Sequence, residues 1–297
     1  MVQPPGDPVP NQQFLQGRSL LPPVLAGDPA DVLFVAWADG MQQDQMLLAT
    51  NISSPPFQPM NPNPGWKTML RPALAKVDHW GHVFLAWTDP EGAVYLGSSA
   101  KDWTTSLLIA PPGSAQFGPA LTYGNDLLFI AWNNKGVTWI AALDRSLHVV
   151  STYATDEPML LSQPSLSWDD RFGSLYILSG WDGQSVPEMV IAWSEDNGKT
   201  FKVIEDPPAK TCFGPPSLVV IDSTYYIAWA DDNTGNLHIA TAKILNEYQI
   251  TEYDAPCHEG GPALAGSSAG LAVGWTYGAS PQDPHRHQIA IGTPPLS

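Results

Sequence analysis

The chain has 297 residues, is 43% hydrophobic, and sets 13 Lys plus Arg against 29 Asp plus Glu. That supplies ample core material, and a net charge of −16 that repels phosphate backbones and anionic lipid surfaces, so nucleic acid is excluded as a partner class. No apolar run approaches the roughly 18 residues that would insert into a bilayer.

Twenty-five glycines and thirty prolines punctuate the chain, and extended helical periodicity is missing. The pattern predicts many short strands joined by turns, an all-β fold. The opening segment "MVQPPGDPVPNQQF" has no basic stretch followed by an apolar one, so no secretory signal is expected in it. Residues 11–20, "NQQFLQGRSL", read as a strand. A Pro-x-Leu phrase then recurs at Pro23, Pro72, Pro119, Pro164, Pro216 and Pro262, spaced 45 to 52 residues apart.

Each phrase leads to an apolar run closing on a tryptophan: Trp37, Trp87, Trp132, Trp229 and Trp275. In the fourth unit, "SLYILSGWDG", Trp181 is displaced. A third run follows, as in "VYLGSS", "TWIAAL" or "LHIAT", then a weaker fourth, as in "KVIED" or "YQITEY". Four strands per repeat at this period predict the blades of a propeller. After Pro262 only enough chain remains for three strands, so residues 11–20 are expected to complete the sixth blade and close the ring. The expectation is a single domain over residues 1–297, a six-bladed β-propeller with four antiparallel strands per blade. The tryptophans are expected mainly between blades, where stacked sheets need large side chains.

Antiparallel connectivity sorts the loops. The start of strand one, the end of strand two, the start of strand three and the end of strand four share one rim. Aspartates directly after strand two gather there: Asp39, Asp89, Asp182 and Asp231, with Asp232 beside the last. Asn133 and Asn134 hold this place in the third unit, Thr276 and Tyr277 in the sixth. Arg71, Gln163, Cys212, Cys257, His258 and Glu259 precede the anchors on the same rim, and "SPQDPHRHQ" adds His285, Arg286 and His287. The predicted ligand-binding set is Asp39, Arg71, Asp89, Asp182, Asp231, His258, Glu259, Tyr277 and Arg286. Carboxylates accept hydroxyl protons and aromatic faces stack on sugar C–H groups, so the predicted partner is a glycan or another small polar ligand. An aspartate after a strand also satisfies turn amides, and both readings stand at this point.

"SEDNGKTF", Ser194 to Phe201, matches the pattern S-x-D-x-G-x-T-[WF], the Asp-box, and falls between the third and fourth predicted strands of its unit. "SSAKDWTT" at Ser98–Thr105 is a degraded copy. On these motifs and the six repeats the chain resembles the sialidase-like (Asp-box) six-bladed β-propeller superfamily. The resemblance implies the box is a turn device on the face opposite the active site, and it favours an extracellular setting. It also implies, for a sialidase, three arginines on the substrate carboxylate, an aspartate acid/base, and a tyrosine nucleophile assisted by a glutamate. "LRPAL" at Arg71 is similar to the family's first-arginine step with one residue missing, and "GRSLLP" at Arg18 is less similar. Arg171 sorts to the wrong face and Arg145 to a peripheral hairpin, so a complete triad is not expected.

The favoured reading is a non-catalytic, lectin-like binding propeller, since repeated equivalent sites give avidity. The alternative is a glycoside hydrolase or lyase using paired axial carboxylates drawn from Asp39, Asp89, Asp182, Asp231 and Glu259, with Arg71. A protein-docking scaffold is the third. Cys257, His258, His285 and His287 are weak metal-ligand candidates without tight two-ligand spacing. Cys212 and Cys257 suit either a disulfide or two buried thiols. No cofactor is implied, because phosphate loops, dinucleotide fingerprints, serine elbows and EF-hand loops are all missing from the sequence.

Overall fold

Pro-x-Leu opens the innermost strand of each blade except the fifth, where the strand starts at Phe213 and Pro216 lies inside it. The computed structural model describes residues 13–19, 21–27, 32–39, 45–50, 62–155, 162–182, 187–257, 261–267, 270–277 and 287–294. Blade one comprises Val24–Gly27, Leu33–Asp39 and Gln45–Thr50, with Lys67 bridged to Gln45 on the outer side. Blade two is Ala73–Val77, His82–Thr88, Val94–Ser98 and Ser106–Ala110. Blade three is Ala120–Gly124, Leu127–Asn134, Val137–Leu143 and Val149–Ala154. Blade four is Ser165–Asp169, Ser174–Asp182, Pro187–Ser194 and Lys202–Ile204. Blade five is Phe213–Ile221, Thr224–Ala230, Asn236–Ala242 and Gln249–Pro256. Blade six is Ala263–Ser267, Gly270–Tyr277 and His287–Gly292. Its outer strand is the amino-terminal Gln13–Ser19, antiparallel to His287–Gly292, which closes the ring as the repeat count predicts.

Alternation along strand two builds the interblade cores. In blade five, Tyr225, Ile227 and Trp229 pack with blade four, whereas Tyr226, Ala228 and Ala230 pack with blade six. The closing tryptophans follow the same rule: Trp37 packs into blade six, Trp87 into blade one, Trp132 into blade two and Trp275 into blade five. Strand register explains the exception. Leu218 pairs with Ile227, two residues before Trp229, and Leu166 pairs with Ile177, so the tryptophan position of blade four is Ser179. That serine is fully buried and its hydroxyl lies 2.8 Å from that of Ser162, a polar pair in place of an indole.

The anchor leucines form a collar. Leu25, Leu74, Leu121, Leu166, Leu218 and Leu264, one per blade and all buried, line both the axial cavity on the anchor side, about 80 Å³, and the axial cavity beyond it, about 200 Å³. Six apolar side chains meeting at the axis make the centre a packed core with a cavity on either side.

The middle residue of the phrase has its own role. In blades four and five it is serine, and each hydroxyl accepts from the inner strand of the next blade: Leu218 N to Ser165 Oγ at 3.0 Å and Leu264 N to Ser217 Oγ at 3.0 Å. Ser167 repeats this one step on, accepting from Val220 N at 2.9 Å. The open edge of an inner strand is thereby satisfied across the blade boundary. Two-residue turns with positive φ at both positions, Asn125-Asp126 and Asp222-Ser223, join strands one and two of blades three and five, as tight hairpins require.

Candidate functional site

The rim carrying the strand two to strand three hairpins is built from side chains that first satisfy their own turns. Asp89 Oδ1 accepts from Glu91 N at 2.9 Å and Ala93 N at 2.8 Å. Asp231 Oδ1 accepts from Asn233 N at 3.0 Å, Thr234 N at 2.8 Å and Thr234 Oγ1 at 3.1 Å. In blade three, Asn133 Oδ1 accepts from Gly136 N and Asn134 donates to the Gly113 carbonyl. The turn role weighed from sequence is therefore present at Asp89 and Asp231, and in each it occupies a single carboxylate oxygen. The Oδ2 atoms of both have no hydrogen-bond partner among the described residues, and both side chains are half-buried. Burial acts to raise the Asp231 pKa, but the hydrogen bonds from Thr234 and Asn233 outweigh it and hold the carboxyl below its ordinary value.

Register trims the predicted acidic ring. Counting two residues beyond the tryptophan position gives Asp39, Asp89, Asn134, Trp181, Asp231 and Tyr277. Asp182 stands one residue late, because Ser179 and not Trp181 holds the tryptophan's place, so equivalent carboxylates come from blades one, two and five. Asp39 is buried at its strand end, its backbone paired with Gln45 and Ser19. Asp182, Tyr277 and His287 are described at the backbone alone. His258, Glu259, His285 and Arg286 lie outside the described residues.

At the axis, two residues just before the anchors cross between blades. Arg71 of blade two is 7% exposed, and its Nη2 donates to the Pro262 carbonyl of blade six at 2.8 Å. Gln163 of blade four, also buried, donates its amide to the carbonyls of Arg71 at 3.1 Å and Pro119 at 3.0 Å. Gly118 completes the fit, since a Cβ there would collide with the Arg71 carbonyl oxygen and crowd the Gln163 amide. Burial lowers the Arg71 pKa to about 10, with Cys257 nearby acting to raise it, so the guanidinium stays charged at neutral pH.

Arg71 thus ties the ring through Nη2 and also lines the axial cavity on the anchor side. Arg171 stands on the far face, as sorted from sequence, over the Phe172 ring at 5.0 Å.

Cys212 and Cys257 are free thiols and buried, which resolves the two alternatives in favour of thiols. Burial pushes Cys212 up to about 12, and Cys257 also rises, with Arg71 acting to lower it. Among the described residues no group of three His, Cys, Asp or Glu converges to hold a metal. Sequence reasoning missed a stitch four residues before the anchors: Ser19 Oγ donates to the Ala38 carbonyl at 2.9 Å and Thr68 Oγ1 to the Thr88 carbonyl at 2.7 Å. Its only signal was a small hydroxyl residue at the same offset in two units.

The segment Ser194–Phe201 folds as a self-capped turn between strands three and four of blade four. Asp196 Oδ1 accepts from Lys199 N at 3.0 Å and Thr200 N at 2.9 Å, Oδ2 accepts from Thr200 Oγ1 at 2.8 Å, and Ser194 Oγ donates to Oδ1 at 2.7 Å. Gly198, at φ 87°, closes it against Ile140 and Leu175.

No protein-family model and no curated protein matches the sequence. Solved structures do match. A protein of unknown function from Dyadobacter fermentans superposes with a TM-score of 0.65 at 12% identity, over 97% of both chains. The shared fold is the six-bladed β-propeller. The Hadza microbial sialidase Hz136 gives a TM-score of 0.62 at 12% identity over 95% of this chain, which spans 66% of that one. The SapL1 lectin, solved with alpha methyl fucoside, gives 0.61 at 8% identity over 87% of this chain and 89% of its own.

Proposed function

We propose that this propeller binds carbohydrate without catalysis, at the carboxylate-bearing rim. One observation carries the reading: Asp89 and Asp231 anchor their hairpins through one oxygen and leave Oδ2 as an acceptor on the same rim, while Arg71 is tied into the ring. Rigid carboxylate acceptors suit sugar hydroxyls, whereas clamping an acidic sugar calls for guanidinium groups free to face it. The likeness in fold to a lectin solved with a fucoside supports the sugar class. We read Ser194–Phe201 as an Asp-box with a folding role, because both carboxylate oxygens of Asp196 serve its own turn.

A glycoside hydrolase remains the second reading, favoured by buried Asp39 and by the likeness in fold to a sialidase. Deeply placed carboxylates are what acid/base glycoside cleavage draws on.

The test pairs a glycan array with a panel of chromogenic glycosides that includes a sialoside. Binding without turnover, lost in Asp89→Ala or Asp231→Ala with folding intact, is the expected result. Turnover abolished by Asp39→Asn would establish the hydrolase. Silence on both panels would overturn carbohydrate as the ligand and favour protein docking.

A further inference from the structure

A cleft lies away from this rim, on the outer side of the junction between blades four and five. Its volume is about 550 Å³, within the range of small-molecule sites. Its floor is a buried hydrogen-bonded chain. Tyr225 Oη donates to Asp169 Oδ2 at 3.1 Å, and Asp169 Oδ1 also accepts from Arg171 N at 2.9 Å. A phenol carries one proton, so the 2.9 Å contact between the Tyr176 and Tyr225 hydroxyls runs from Tyr176 to Tyr225. Both protons are committed within this chain, so the tyrosine oxygens, buried behind the cleft they line, have only lone pairs to present. A ligand reaching this floor must donate.

The walls add two further selections. Phe172, Val203 and Ile244 are 56%, 50% and 62% exposed and border this one cleft, an apolar rim left in water. Glu205 and Asp206 line it against a single ammonium, Lys243, and among the described residues neither carboxylate is in an ion pair. Asp169 stands behind the tyrosines. The aromatic rings here already draw cations of the chain itself: Lys202 lies over Trp193 at 4.5 Å and Arg171 over Phe172 at 5.0 Å.

We propose that this cleft is a second ligand site, which takes a small organic cation: a primary ammonium on an aryl or alkyl body. The ammonium donates to the tyrosine floor and neutralises the acidic wall, and the body covers the apolar rim. Neutral sugars meet the donor requirement but leave the Glu205 and Asp206 carboxylates without a counter-charge. The site shares no residue with the rim and does not depend on the carbohydrate reading.

Calorimetric titration of the full chain with 2-phenylethylammonium chloride, against 2-phenylethanol and glucose, tests it. The amine is expected to bind about tenfold or more tightly than its neutral isostere, roughly one charge-assisted hydrogen bond's difference. That advantage shrinks when salt rises from about 0.02 M to about 0.5 M, as screening requires. Ile244→Arg and Val203→Arg, both on the exposed rim, each weaken the amine and leave folding unchanged. Tyr225→Phe releases the Tyr176 proton toward the cleft and narrows the amine-to-alcohol ratio. Equal affinity for amine and alcohol, tighter binding of glucose, amine binding that survives both arginine variants, or no amine binding at all would each overturn the proposal.

Discussion

The side-chain amide of Gln163 donates to the main-chain carbonyl of Arg71, two blades away, at 3.1 Å, while the Arg71 guanidinium reaches the Pro262 carbonyl of blade six. Together with the bond from Gln163 to Pro119, these two residues tie four of the six blades across the axis.

Removing either tie leaves buried carbonyls without donors. Gln163→Ala and Arg71→Met are each expected to lower unfolding free energy by about 1–3 kcal/mol, measured by urea denaturation. A loss below about 0.5 kcal/mol, the level of an ordinary surface change, would show the ties to be dispensable.

The serine bridges make a narrower prediction. Ser165→Ala and Ser217→Ala each orphan the amide of the next blade's leucine, at a cost of about 1–3 kcal/mol. Their effects should add, since the two bridges join different blade pairs. Hydrogen exchange at Leu218 and Leu264 should accelerate in the corresponding variant alone, and an unchanged rate there would remove the bridges from the account.

Asp231 supplies a pH dependence whose sign is set by its lowered pKa. A carboxyl that titrates lower in the folded chain stabilises fully above the unfolded value, about 3.9, and loses that contribution as pH falls through the folded value. The stability gap between the wild type and Asp231→Ala should therefore hold from pH 7 to about 5 and close below about 4. A gap that persists unchanged to about pH 2 contradicts the hydrogen-bonding cause.

Both cysteines are buried with raised pKa values, so little thiolate is available to react. Ellman's reagent should find no thiol in the native protein and both in guanidinium. Prompt labelling of the native chain at neutral pH would mean that the junctions around Cys212 and Cys257 open readily.

Much of this architecture was readable in advance because its cause is local and repeated. Pro-x-Leu, the polar turn and the apolar run ending on tryptophan each recur, and a period of that length allows few closed arrangements of four-stranded units; the pairing of Gln13–Ser19 with His287–Gly292 followed from counting strands. What escaped was register. Trp181 is the displaced member of its series, yet strand register gives that place to Ser179 and sets Asp182 one residue beyond the position of Asp39, Asp89 and Asp231.

The amino-acid order by itself determined the ring, its handed sorting of loops, and which residue types crowd one rim, since alternation and turn chemistry act over a few neighbours. Only the tertiary structure decided what those groups do. That Arg71 reaches a carbonyl of blade six, and that the proton of Tyr225 points toward Asp169, depend on partners 191 and 56 residues away. No local pattern encodes such pairings, because desolvation and hydrogen bonding act through space after the blades have closed.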